Sequence, residues 1–178
     1  GAAAVSCLTE PQYFLGSNEY LKAISQSISL PVLRKDFTVH EAQIYEAKLI
    51  GADAILLITA LLEESVLQEY LATAKSIGLD VLTEVHDEAE IETALKAGAE
   101  IIGVNNRNLK DFTVDFNNSL RLKKLVPPGI TFMAESGIKT RDDIIKLQNA
   151  GADAVLIGET LMRSGDAAGA LKQLAGVE

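Results

Sequence analysis

Two charged residues stand where apolar runs stop. In Leu30-Pro31-Val32-Leu33-Arg34-Lys35-Asp36-Phe37 a segment suited to a buried strand leads straight into Arg34, Lys35 and Asp36. In Val81-Leu82-Thr83-Glu84-Val85 a second such run carries Glu84. Charge at the end of a buried strand gains the fold nothing by itself. A lysine that donates a proton and a carboxylate that accepts one, both on rigid strand ends, is the minimum set for general acid–base chemistry. The structural alternative is that Lys35 pairs with a local acid, and Glu84 with Arg107 or a helix N-terminus.

Three further segments end apolar runs in the same way. Asn105-Asn106-Arg107-Asn108 serves a turn as readily as a site, because asparagine tolerates left-handed backbone. Glu135-Ser136-Gly137-Ile138 and Ile157-Gly158-Glu159-Thr160 place glycines where backbone N–H groups can approach a phosphate closely, or where a tight turn is needed. Glu159 suits a phosphate neighbour only if its N–H contributes while its side chain points away. His86 lies in Glu-Val-His-Asp, but His40 is the only other histidine, so a cap or loop role is expected and no metal.

The elements that must carry these residues follow from a repeat. Gly1-Ala2, Gly51-Ala52, Gly98-Ala99 and Gly151-Ala152 recur at intervals of about 50 residues. In the last three, a helix-patterned segment stops at the glycine and an apolar strand follows. Midway lie the strands 30–37, 80–86 and 130–137. The chain therefore reads as seven strands alternating with six or seven helices. Thr38-x-x-Glu41, Asp87-x-x-Glu90 and, more weakly, Thr140-x-x-Asp143 read as capping boxes, and Ser17 as the cap of the first helix.

Strands buried on both faces and separated by helices require a parallel sheet with right-handed crossovers. An open doubly wound sheet competes with a (β/α)8 TIM barrel, and equivalent joints favour the barrel. The reading is one α/β domain over residues 1–178 with seven of eight βα units, strands 2 to 8. In a barrel the C-terminal strand ends carry chemistry and the αβ joints carry stability. Asp53, Glu100 and Asp153 fall at the joints. Lys35, Glu84, Asn105, Glu135 and Gly158 fall at the opposite ends and agree in parity with Leu33, Leu82, Gly103, Met133 and Leu156.

Composition sets the outer bounds. With 178 residues, 48% of them hydrophobic, the chain can bury a substantial core. A net charge of -9 argues against nucleic-acid and anionic-membrane partners. The single cysteine, Cys7, forms no internal disulfide, and no apolar run is long enough to span a bilayer. These features suit a cytoplasmic enzyme with no metal. Because the chain opens on Gly1 rather than Met, it reads as starting inside a longer product or after removal of one.

The motifs together resemble those of indole-3-glycerol phosphate synthase. Leu8-Thr9-Glu10-Pro11, Tyr13-Phe14, Gly16-Ser17, Leu33 to Phe37, Glu84 to Asp87, Ile102 to Leu109, Ala134 to Ile138 and Leu156 to Met162 match in order over essentially the whole chain. The resemblance implies a (β/α)8 barrel that closes the pyrrole ring of 1-(2-carboxyphenylamino)-1-deoxyribulose 5-phosphate, with loss of carbon dioxide and water, in tryptophan biosynthesis. It implies a carboxy-lyase needing no cofactor. Lys35 corresponds to the general acid and Glu84 to the general base. Asn105 and Glu135 would hold polar substrate groups, and Arg107 would frame the mouth. Phe14, Phe37 and Leu56 match the aromatic pocket; Ser136, Gly137, Gly158 and Glu159 match the phosphate side.

By the same resemblance, an N-terminal extension and a first strand with a second essential lysine are expected before Gly1. The missing segment or a self-associated copy would then be a partner, alongside the sugar-phosphate substrate. Two alternatives accompany this reading. One is a noncatalytic barrel fragment that needs complementation. The other is a different sugar-phosphate barrel such as phosphoribosylanthranilate isomerase, whose cysteine–aspartate pair is not evident here.

Overall fold

A computed structural model describes residues 1–177. The described chain divides into two compact units, one of residues 2–84 and 93–99, the other of residues 1, 85–92 and 100–177. Each unit is a parallel α/β assembly in which strand order follows chain order.

The first unit holds strands β1 (Val5–Leu8), β2 (Val32–Lys35), β3 (Ala54–Ile58) and β4 (Asp80–Val85, whose last residue counts with the second unit). Between them run helices α1 (Asn18–Ser27), α2 (Ala42–Leu49) and α3 (Glu64–Ser76). Helix α4 (Glu88–Ala97) contributes to both units. Registers Cys7↔Arg34, Arg34↔Ile55 and Leu57↔Thr83 define one face of the sheet. Cys7, Val32, Ile55 and Leu57 on that face pack with Leu21, Ile44, Leu67 and Tyr70 of the helices to form the core. Leu56 and Ile58, on the opposite face, are buried as well. Strand β3 is thus covered on both sides, as its unbroken apolar run predicts.

The second unit holds β5 (Ile101–Asn105), α5 (Asn117–Leu122), β6 (Thr131–Glu135), α6 (Arg141–Asn149), β7 (Ala154–Leu156), α7 (Glu159–Arg163) and α8 (Ala167–Ala175). Asn105 registers with Glu135, and Glu135 with Leu156, so all three share a face.

The glycines of the repeated joints are left-handed, with φ of 94° at Gly51, 92° at Gly98 and 86° at Gly151. This is the helix-terminating conformation the repeat predicts. The joint aspartates are structural. Val32 N–H donates to Asp53 Oδ2 and Phe132 N–H to Asp153 Oδ2, each at 2.8 Å.

Ser17 caps α1 by accepting from the Glu19 N–H, and Thr140 with Asp143 forms a complete capping box on α6. At α4 the Asp87 carboxylate accepts from the Glu90 N–H, but Glu90 returns to the His86 N–H, one residue earlier than a box would have it. Thr38 does not cap α2, which begins at Ala42. The Gln43 side chain takes that work instead, accepting from the Val39 and His40 N–H groups and donating to Phe37 O.

Candidate active site

In the first unit, Lys35 ends β2 and Glu84 stands one residue before the end of β4. Leu33 registers with Ala54, and Ile58 with Glu84, so Lys35, Leu56, Leu82 and Glu84 share one face, opposite the helix-packed core. Lys35 Nζ lies 3.4 Å from Glu84 Oε2; the glutamate side chain is 2% exposed and the lysine 16%. The sequence left open whether each residue pairs elsewhere. They pair with each other.

Phe37 follows the lysine and packs on Phe14, ring centroids 4.7 Å apart, with Tyr13 edge-on at 5.9 Å. Phe14 is held by Glu10, whose carboxylate accepts from the backbone N–H groups of Gln12, Tyr13 and Phe14. Desolvation works against that charge, and the three N–H bonds outweigh it, leaving the Glu10 carboxyl below the ordinary glutamate range. Leu56 is fully buried on the Lys35 face.

In the second unit, Asn105 is 8% exposed and Glu135 1%. Asn105 Oδ1 accepts from the Arg107 N–H at 3.0 Å, which turns the chain at the end of β5. Asn106, singled out by no motif of its own, bolts the region together. Its Nδ2 donates to Ser136 O at 3.0 Å, and its Oδ1 accepts from both the N–H and the hydroxyl of Ser119. The signal available was burial of an amide after an apolar strand; the asparagine run masked it.

Ser136 and Gly137 are both left-handed, at φ 65° and 76°. For serine this conformation costs about 1–3 kcal/mol and persists where neighbours over-determine it. The Asn106 bond to Ser136 O does so here. A Cβ at Gly137 would lie 2.6 Å from Val114 Cγ1, whereas one at Gly158 would meet nothing within 4 Å. Space is open at Gly158.

Glu159 turns its side chain to Arg107 Nη2 at 2.8 Å and Arg163 Nε at 3.0 Å. Arg163 first, then Arg107, hold its carboxyl below the ordinary range. The side chain is thus paired with two arginines.

His86 is a cap partner. Its N–H and Nδ1 both meet Glu90 Oε2, and its carbonyl accepts from Asn118 Nδ2. Among the described residues no three His, Cys, Asp or Glu side chains cluster to hold a metal, and no helix is long and apolar enough to cross a membrane.

A sequence model of the indole-3-glycerol phosphate synthase family matches residues 1–174. The chain is 58% identical over 176 residues to the indole-3-glycerol phosphate synthase of Ruminiclostridium cellulolyticum, covering 99% of this chain and 68% of that protein. It is 58% identical to that of Endomicrobium trichonymphae, covering 98% of this chain and 67% of that protein. The chain thus spans about two thirds of these relatives. Among solved structures, "Crystal structure of KGPDC from Streptococcus mutans" superposes with a TM-score of 0.73 at 13% identity, over 96% of this chain and 83% of that one. "Native KDPGal structure" gives 0.71 at 19%, over 99% and 81%. At those identities the likeness is one of fold.

Proposed function

Because the chain belongs to the indole-3-glycerol phosphate synthase family, we propose that it closes the indole ring of 1-(2-carboxyphenylamino)-1-deoxyribulose 5-phosphate, with Lys35 as general acid and Glu84 as general base. The observation that carries this reading is the Lys35–Glu84 pair, 3.4 Å apart on one sheet face at two strand ends. The ring carbon bearing the carboxylate bonds to the substrate's carbonyl carbon while Lys35 protonates the carbonyl oxygen. Carbon dioxide leaves, returning its bonding pair to the ring. Lys35, reprotonated from solvent, then protonates the hydroxyl, which departs as water, while Glu84 accepts the proton lost from the adjacent methylene carbon as the ring double bond forms.

The remaining roles belong to the same proposal. Phe14, Phe37 and Leu56 receive the aromatic ring, with the Phe14–Phe37 contact in support. Asn105 and Glu135 hold polar groups, and Arg107 frames the mouth. Ser136, Gly137, Gly158 and the Glu159 N–H serve the phosphate; the turned backbone at 136–137 and the open space at Gly158 support this. A single (β/α)8-type domain, of which this chain supplies seven units in a cytoplasmic enzyme, is part of the reading and is supported by the repeated left-handed joints.

The test is direct. Purified chain is incubated with the carboxyphenylamino-deoxyribulose phosphate, and indoleglycerol phosphate is followed by its fluorescence beside a Glu84→Gln control. Product from the wild type and a loss of roughly 100-fold or more in the control are expected. No product from the wild type sinks the assignment of activity to this chain; equal rates sink the role of Glu84.

A further inference from the structure

Lys35 is flanked in sequence by two buried charges, Arg34 and Asp36, that point to the other face of the sheet. Arg34 is 4% exposed and Asp36 7%. The guanidinium makes four hydrogen bonds: Nε donates to Thr9 Oγ1 at 3.1 Å, Nη1 to Gln43 O at 2.9 Å, and Nη2 to Asn18 Oδ1 and to Glu46 Oε2, the last at 2.7 Å. Asp36 Oδ2 lies 3.2 Å from Nη2. Three segments thereby converge on the strand end: the turn after β1, helix α1 and helix α2.

One small residue touches every part of the Arg34-Lys35-Asp36 segment. Thr9, 3% exposed, donates its backbone N–H to the carbonyl of Lys35 at 3.1 Å. Its hydroxyl donates to Asp36 Oδ2 at 2.6 Å and accepts from Arg34 Nε. The hydroxyl has one proton, and Asp36 takes it; the lone pair facing Arg34 is then the complementary acceptor. A cleft of about 550 Å³ is lined by Thr9, Asn18, Arg34, Asp36 and Gln43. Directed hydrogen bonds hold the buried guanidinium at the edge of this cleft.

We propose that Thr9 is a positioning residue for Lys35: its hydroxyl, shared between Asp36 and Arg34, fixes the strand end from which Lys35 reaches Glu84. The proposal rests on the reading of Lys35 as proton donor. Two buried opposite charges need every lone pair and proton satisfied to hold one geometry. A general acid displaced by even an ångström loses catalytic effect out of proportion to the displacement.

Thr9→Val keeps the shape and removes the hydroxyl, while Thr9→Ser keeps the hydroxyl and removes a methyl. Two readouts are taken on each: steady-state kinetics, and the Lys35 ε-methylene signals in selectively 13C-labelled protein, assigned with Lys35→Gln. Thr9→Val should lower kcat roughly 10- to 100-fold, with KM within about twofold, as expected when only transition-state geometry suffers. Its two Lys35 methylene proton shifts should merge, reporting a mobile side chain. Thr9→Ser should stay within about threefold of wild-type kcat and keep the two shifts distinct. Wild-type kcat in Thr9→Val, or equal losses in both variants, would overturn the proposal.

If Thr9→Val does not fold, Asp36→Asn decides. It retains an oxygen for the Thr9 hydroxyl but removes the charge opposite Arg34, and it should lower kcat at unchanged KM; wild-type kcat there rejects the clamp. If the wild type shows no turnover, the functional reading has failed, and the methylene signals then judge the clamp alone.

Discussion

Val32 and Asp53 are bonded twice: the Val32 N–H donates to the Asp53 carboxylate at 2.8 Å, and the Asp53 N–H donates to Val32 O at 2.9 Å. Phe132 and Asp153 repeat both bonds at the same distances and the same separation of 21 residues. These aspartates secure the strand starts, while Lys35 and Glu84 occupy strand ends. Stability and chemistry are therefore separable by mutation.

Asp53→Ala and Asp153→Ala should each lower unfolding free energy by about 1–2 kcal/mol, the scale of a charge-assisted bond to a backbone N–H. Urea denaturation reads the loss. Turnover of the folded protein should be unchanged, and a fall in kcat in either variant would contradict the division.

Lys35→Met should lower kcat by roughly 100- to 10,000-fold, the usual contribution of a positioned acid or base. Lys35→Arg should recover little of it, since a guanidinium is a poor proton donor at neutral pH. Circular dichroism that matches wild type confirms that the loss is chemical.

Thr83→Val should stabilise the protein. Thr83 is fully buried in β4, and its hydroxyl is one of the buried side-chain oxygens that lack a hydrogen-bond partner among the described residues. Replacing an orphaned hydroxyl with a methyl of the same shape removes a desolvation penalty, for a gain of about 0.5–1.5 kcal/mol. Thermal unfolding at a lower midpoint than wild type would refute it.

Acid should loosen the aromatic pair through Glu10. Because its folded carboxyl titrates below the ordinary glutamate range, the ordering it provides is fully present above that range and is lost as pH falls through the depressed value. Nuclear Overhauser contacts between Phe14 and Phe37 should persist at about pH 5 and fade at lower pH, beneath the ordinary glutamate value. Glu10→Gln should weaken them at neutral pH and flatten the acid response. Contacts in that variant as strong and as pH-dependent as in wild type would remove Glu10 from the account.

The alternation of strands and helices was legible because apolar runs and Gly-Ala joints are local signals that tertiary context does not overturn. The parity of Lys35 with Leu33 and of Glu84 with Leu82 was legible for the same reason. What the sequence hid depends on distant partners. Nothing near Thr9 announces a hydroxyl shared by residues 25 and 27 positions away. Asn106 is one of three asparagines in four residues and looks like its neighbours. The Thr38 box did not form; Gln43, a residue with a longer reach, accepts from the Val39 and His40 N–H groups from inside the helix instead.

Val32 and Asp53 stand one hundred positions before Phe132 and Asp153, as Gly51 stands before Gly151. The same offset sets Lys35 beside Glu135, and Phe37 beside Gly137. A duplicated segment would leave this trace: scaffold positions kept their bonds, while the strand-end positions between them diverged, one to an ammonium and the other to a carboxylate. The backbone frame is then reusable stock, and segments 32–53 and 132–153 are natural units for exchange when a new chemistry is to be grafted onto it.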